Sequence, residues 1–151
     1  MDRITILLVD DDPDCRELIR EAAEQCKVSN VIHEVASGHD ALEFLMQRGR
    51  HSDAPRPGLV YLDVEMPGID GLETLRRIRA EQKLRDIPVV MMTGVSSDAH
   101  MKLAADLGAN SYTLKPANPE QFLRTVLAST DYWLQIHQSP ARHLPAEACR
   151  R

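Results

Sequence analysis

The sequence predicts an α/β protein, a three-layer, doubly wound parallel sheet of five strands. Three observations predict it. Five short apolar runs alternate with five stretches of helical periodicity, each connection is short enough for a right-handed β-α-β crossover, and 151 residues match one ordinary domain.

The elements follow in order. Ile4 to Val9 is a nearly continuous apolar run with β-branched residues, as in a central strand buried on both faces. Asp12 supplies an N-cap and Pro13 a first helical position; Cys15, Leu18, Ile19, Ala22, Ala23 and Cys26 then share one face of a helix of about four turns. Val31 to Val35, with His33 and Glu34 inside it, reads as an edge strand. Ser37 caps the next helix, whose apolar stripe is Ala41, Leu42, Leu45 and Met46. Arg48 to Gly58, with Pro, Gly, Ser and Asp, is an exposed loop. Leu59 to Leu62 is a buried strand ending at Asp63, and Asp70 caps a helix through about Glu81 with Leu72, Leu75 and Ile78 inward. Ile87 to Met92 is the fourth strand, followed by the small-residue loop Thr93 to Ser97. Asp98 then caps a helix that Gly108 and Asn110 end near Leu107. Ser111 to Leu114 is the fifth strand. Asn118, Pro119 and Gln121 open a last helix by a capping-box pattern, with Phe122, Leu123, Val126, Leu127, Thr130, Trp133 and Leu134 on one side.

Composition narrows the function. Eighteen basic against 23 acidic residues give a net charge of −5, which disfavours nucleic acid or an anionic membrane as the main partner. Only 4% of residues are aromatic, too few for stacking platforms. Cys15, Cys26 and Cys149 form no C-x-x-C pair, and no apolar run is long enough for a signal core or membrane span. A cytoplasmic protein is expected. The six scattered His read as ordinary surface residues.

In doubly wound sheets ligands bind beyond the carboxyl ends of the strands. Those ends carry Asp10, Asp11 and Asp12 after the first strand, Asp63 after the third, Thr93 after the fourth and Lys115 after the fifth. Converging carboxylates repel, so they need protons or a hard cation, and oxygen ligands with no His or Cys describe Mg2+ rather than zinc. A dinucleotide binder would have G-x-G-x-x-G after the first strand, and a flavin mononucleotide binder small hydroxyl residues; D-D-D-P-D would repel a bare phosphate. The chemistry that fits is Asp63 as a carboxylate nucleophile toward a phosphoryl group, with Lys115 as a point cation and the Thr93 hydroxyl as a donor to a phosphoryl oxygen.

The runs I-L-L-V-D-D-D-P-D, L-V-Y-L-D-V-E-M-P-G-I-D-G, V-V-M-M-T-G and Y-T-L-K-P together resemble the receiver domain of bacterial two-component response regulators, over about residues 3 to 135. The resemblance implies a flavodoxin- or CheY-like sheet of strand order 2-1-3-4-5. It implies that Asp63 accepts phosphate from a sensor histidine kinase, that Asp10 and Asp11 bind Mg2+, and that the backbone carbonyl of Glu65 completes the protein ligands. Lys115 would hold the phosphoryl group, preceding a cis bond to Pro116; Thr93 would swing toward the phosphate and Tyr112 follow it inward. A lone Tyr on an edge strand is commonly mere packing, but the place of Tyr112 three residues before Lys115 favours the switch reading. The protein would be a switch rather than an enzyme, assisting only its own phosphorylation and dephosphorylation.

Three positions depart from the family's pattern. Glu65 adds an acid where the family faces the attacking water, which bears on phosphoryl lifetime; Gly94 loosens the loop after Thr93; Ala117 replaces a larger apolar residue. A phosphatase of the haloacid dehalogenase type would need Asp two positions after Asp63, where Glu65 stands. A relay intermediate and a receiver-like module that never binds phosphate are the other readings. The receiver is expected over residues 1–137 and a loose tail over 138–151, with no output domain, so the signal passes to a separate protein. The A-P-R-P loop and the D-Y-W-L end of the last helix resemble single-domain regulators that serve phytochrome-type kinases. Tyr132, Trp133 and Leu134 would serve either a homodimer contact or core packing.

Overall fold

The computed structural model describes residues 3–26, 29–95 and 97–138. Five parallel strands, β1 (Ile4–Val9), β2 (Asn30–Val35), β3 (Leu59–Asp63), β4 (Val89–Thr93) and β5 (Ser111–Leu114), form one sheet of order β2-β1-β3-β4-β5. The helices are α1 (Pro13–Glu24), α2 (Gly38–Met46), α3 (Gly71–Ala80), α4 (Asp98–Asp106) and α5 (Pro119–Gln138). The expected fold class and strand order are those observed.

The alternation of β-strand side chains divides the core into two layers. Leu7 and Val9 of β1 point with Val60 and Leu62 of β3 toward Phe44, Leu72, Leu75 and Ile78 of α2 and α3. Ile6 and Leu8 point with Leu59 and Tyr61 to the opposite side, onto Cys15, Ile19, Ala22 and Ala23 of α1 and Phe122 and Val126 of α5. Strands β1, β3 and β4 are thus covered on both faces, which is why they read as unbroken apolar runs.

Several boundaries differ from expectation. Helix α1 ends at Glu24, with Gln25 as its C-cap, short of four turns. Strand β4 starts at Val89 rather than Ile87, because Pro88 has no N–H to give and serves only through its carbonyl, which accepts from Val60. Helix α4 is capped by Ser97, whose hydroxyl accepts from His100 N at 3.2 Å, and Asp98 is its first residue. In α2 the buried ring is Phe44, absent from the predicted stripe, while Leu42 and Met46 are only partly buried. The loop after α2 contains a 3-10 turn, Gly49–His51, and is not fully exposed. His51 packs its ring on Phe44 and bonds Asp40 Oδ1 at 2.9 Å.

In α5, Thr130 bonds the Tyr61 hydroxyl at 2.6 Å in the core, Trp133 packs against the same layer, and Tyr132 stands out at 58% exposure. The side chain of Leu134 and residues 139–151, where the tail was expected, lie outside the described residues. Among the described residues no helix is long and apolar enough to cross a membrane.

Candidate functional site

Four strand ends bring polar side chains to the carboxyl rim of the sheet, those of β1, β3, β4 and β5. The turn after β1 is fixed by Asp10 itself. Its Oδ1 accepts from Asp12 N at 2.9 Å, its carbonyl accepts from Arg16 Nη1 at 2.6 Å, and the carboxylate is 3% exposed. Asp11 is exposed, while Asp12 spends its carboxylate on capping α1 by accepting from Asp14 N. Of the three consecutive acids, Asp10 and Asp11 are the two whose oxygens gather with those of Asp63.

Asp63 ends β3, and the chain turns sharply behind it to start α3. Asp70 caps that helix through Glu73 N, and Gly71 N donates to Val64 O at 2.8 Å. This return brings Gly71 so close that a Cβ there would stand 2.1 Å from the carbonyl oxygen of Asp63. Sequence reading took M-P-G-I-D-G as a turn and missed this requirement; its signal is a glycine at the first helical position right after an aspartate cap.

Oxygens of Asp10, Asp11 and Asp63 lie within 4.8 Å of one another. Lys115 reaches across from β5, its Nζ 2.9 Å from Asp10 Oδ2 and 3.0 Å from Asp63 Oδ1. The second contact is an ion pair without hydrogen-bond geometry, so Asp63 Oδ1 is buried with no hydrogen bond. Burial pushes the Asp63 carboxyl up to about 6, against the pull of the Lys115 charge and with Asp10 adding repulsion. Burial works to lower the Lys115 ammonium, but the hydrogen bond to Asp10 overrides it and raises its pKa. A cluster of three carboxylates with one orphaned buried oxygen and no nitrogen or sulfur donor fits a hard divalent cation. Cys15, expected on the inward face of α1, lies beside Asp10 and Lys115, and burial raises its thiol to about 12.

The Lys115–Pro116 bond is trans, as all described peptide bonds are, so the expected cis bond is not found. Trans is the form an X-Pro bond favours by ~0.5–1 kcal/mol, and Lys115 reaches both carboxylates with it.

Thr93, fully buried at the end of β4, spends its hydroxyl on Glu65 and Val95 rather than on Asp63. Its hydroxyl donates to Glu65 Oε2 at 2.6 Å and accepts from Val95 N at 3.1 Å. Glu65, whose backbone carbonyl is the expected metal ligand, thus also engages Thr93 through its side chain. Tyr112 is half-buried on edge strand β5 with its hydroxyl turned in, buried without a hydrogen-bond partner. Burial raises its pKa, and the nearby Glu65 charge adds to that.

A 2-1-3-4-5 parallel sheet with an acidic pocket at β1 and β3, and a hydroxyl and an ammonium at β4 and β5, is a phosphorylation-controlled signalling domain. The chain belongs to the response regulator receiver domain family, whose pattern matches residues 6–127. It is a receiver of two-component signalling, activated by phosphorylation. Among its relatives is a Methanothrix harundinacea protein named as a probable methanogenesis regulatory protein, FilR2. It is 36% identical over 140 residues, 92% of this chain and 89% of that protein. The response regulator Rcp1 of Synechocystis sp. is 30% identical over 136 residues, 90% of this chain and 92% of its own length. The crystal structure of Mn2+-bound Rcp1 gives a TM-score of 0.84 at 29% identity, covering 95% of this chain and 99% of that one. The phosphorylated cyanobacterial phytochrome response regulator RcpA gives 0.87 at 32% identity, covering 92% of this chain and 99% of that one.

Proposed function

We infer that Asp63 is the phosphoacceptor, in a pocket that takes Mg2+ through Asp10, Asp11, Asp63 and the backbone carbonyl of Glu65. The observation that carries this is Asp63 Oδ1, a buried carboxylate oxygen without a hydrogen bond, facing the Lys115 ammonium and flanked by two further acids. That oxygen attacks the phosphorus of a phosphohistidine on a sensor histidine kinase. The new bond is the acyl O–P of an aspartyl phosphate, the bond that breaks is P–N, and the leaving imidazole nitrogen keeps its electron pair. Bound in the pocket, Mg2+ supplies neutralisation of phosphoryl charge. Lys115 loses one carboxylate charge from its surroundings and gains the phosphoryl oxygens, so it changes partner without moving far. The Thr93 hydroxyl then has a new acceptor, which biases the β4–α4 loop and the α4, β5 and α5 face toward a second state.

The likeness to the phytochrome response regulator RcpA supports a phytochrome-type kinase as the donor. On this reading the receiver unit spans residues 1–137 and works in the cytoplasm. Exposed Tyr132 supports a homodimer contact through the last helix. Incubation with Mg2+ and acetyl phosphate followed by intact-mass measurement tests the reading. A phosphoryl-sized gain in the wild type that Asp63→Asn lacks is expected, and no gain in the wild type overturns it.

A further inference from the structure

Thr93 donates its hydroxyl to the Glu65 carboxylate, and the buried Tyr112 hydroxyl lies in the field of the same carboxylate. The Thr93 hydroxyl has a single hydrogen, and of its two acceptors, Glu65 Oε2 at 2.6 Å and Val95 O at 3.3 Å, the nearer one is charged. A charge-assisted bond of that length is about twice as strong as a neutral one. The threonine's acceptor capacity is used as well, by Val95 N–H. As it stands, Thr93 has nothing to offer a phosphoryl group on Asp63 until it gives up Glu65. The Tyr112 hydroxyl beside it is the converse case, buried with no hydrogen bond of good geometry although Thr93 and the Glu65 carboxylate are both close enough to act on it. A buried polar group left unpaired is costly, so the tyrosine is poised to take any acceptor that becomes free.

We propose that Glu65 is a latch with two alternative donors: it holds the Thr93 hydroxyl away from Asp63 in the unphosphorylated chain, and it receives the Tyr112 hydroxyl once Thr93 turns to the phosphoryl group. Glu65 is a positioning residue here, since it touches neither phosphorus nor the attacking oxygen. The exchange conserves hydrogen bonds. Thr93 trades a carboxylate for a phosphoryl oxygen, Glu65 trades one hydroxyl for another, and Tyr112 gains the partner it lacks. Charge drives the exchange in the right direction, because a phosphoryl dianion on Asp63 repels the Glu65 carboxylate two residues along and draws the Thr93 hydrogen. The latch would therefore set how much of the phosphoryl binding energy goes into switching, a property separate from how fast water removes the group. The proposal rests on Asp63 being the phosphoacceptor.

The test is a titration of the full chain with Mg2+ and beryllium fluoride, a phosphoryl mimic. It uses the wild type, Glu65→Gln, Glu65→Met, Tyr112→Phe and the Glu65→Met/Tyr112→Phe double variant, read by backbone amide NMR with Val95 N–H as the reporter of Thr93. Glutamine keeps the acceptor and loses the charge; methionine loses both. Glu65→Met is expected to shift the Val95 amide before any mimic is added and to bind the mimic ~10-fold more tightly. Glu65→Gln should keep the Val95 position and fall nearer the wild type. Tyr112→Phe should weaken mimic binding ~3-fold to 10-fold alone but by less than about 2-fold beside Glu65→Met, a coupling present only with the mimic bound. Equal tightening by Gln and Met, or an additive double variant, overturns the latch while leaving phosphorylation of Asp63 intact. A wild type that neither binds the mimic nor gains a phosphoryl mass in the presence of Mg2+ overturns the underlying reading, and the latch with it.

Discussion

The Lys115 ammonium lies 3.0 Å from Asp63 Oδ1, yet its hydrogen bond goes to Asp10 Oδ2 at 2.9 Å. One cation thus balances two buried carboxylates while leaving the oxygen of one of them without a hydrogen bond. The arrangement holds the pocket together with no further ligand, and it leaves unpaired the atom proposed above as the nucleophile. A lysine suits this better than an arginine, since a point charge on a flexible stem can change partner where a planar fork would stay bidentate.

Lys115→Ala leaves Asp10 and Asp63 buried against each other with no cation between them. With one partner of a mostly buried pair removed, the metal-free protein is expected to lose about 2 kcal/mol of stability, at the low end for broken buried pairs because Lys115 keeps 18% exposure. Thermal unfolding in chelator should show the loss, and excess Mg2+ should recover part of it by taking the vacated charge role. Acetyl phosphate labelling of the variant should fall at least ~10-fold even with Mg2+ present. Labelling at the wild-type rate would show that Lys115 serves only the fold.

The Asp63 carboxyl predicts a pH dependence of the metal-free chain. Its folded pKa of about 6 lies above the ordinary value of 3.8. Between these values the folded chain keeps a proton that the unfolded chain has released, so the stability carried by this group falls as pH rises through that window. Asp63→Asn removes the term. In chelator it should be more stable than the wild type at pH 7 to 8 by on the order of 2 kcal/mol, with the difference gone near pH 4. Urea unfolding at a series of pH values measures it. An Asn variant that is no more stable at pH 7 would show that Lys115 fully compensates the buried charge.

The fold was legible because its signals are local and strong. β1, β3 and β4 are buried on both faces, so their apolar runs needed no pattern to resolve, and the caps at Asp12, Ser37, Asp70 and Asn118 are read from residue type alone. The rim residues Asp10, Asp11, Asp63, Thr93 and Lys115 were legible because strand ends locate them, and four motifs in order identified them. What sequence could not give was the choice between equivalent donors and acceptors. Ser97 and Asp98 can both cap α4, and only the position of His100 N decides for Ser97. The contact of Glu65 with Thr93 joins residues 28 apart through a side-chain rotamer, which no spacing rule encodes.

Asp11 separates cation binding from folding. It is exposed, takes no part in the Lys115 ion pairs, and contributes one of the three clustered carboxylates. Asp11→Asn should therefore stay within about 0.5 kcal/mol of wild-type stability in chelator, as surface substitutions do. Its affinity for Mg2+ or Mn2+, measured by calorimetry, should drop at least ~10-fold, since a charged oxygen is exchanged for a neutral one at a hard cation. Unchanged affinity would move the cation away from this cluster.

Gly71 tests whether the Asp63 end of β3 is held from behind. A Cβ there would stand 2.1 Å from Asp63 O, 2.8 Å from Asp63 C and 2.8 Å from Val64 Cα, all backbone atoms that cannot rotate aside. Two rigid segments would have to separate by roughly 1 Å to restore ordinary contact. The hydrogen bond from Gly71 N to Val64 O at 2.8 Å, which ties the start of α3 to the end of β3, would be stretched with them. Gly71→Ala should therefore cost about 2–3 kcal/mol, against the few tenths gained by alanine's better helix propensity at an unstrained site. The displaced Asp63 would also leave its position relative to Lys115, so labelling by acetyl phosphate should fall more than stability alone explains. Comparing labelling rates at a temperature where Gly71→Ala is still fully folded by circular dichroism isolates that second effect. A variant with normal labelling there would mean that Asp63 is positioned by the sheet alone, not by the return of the chain into α3.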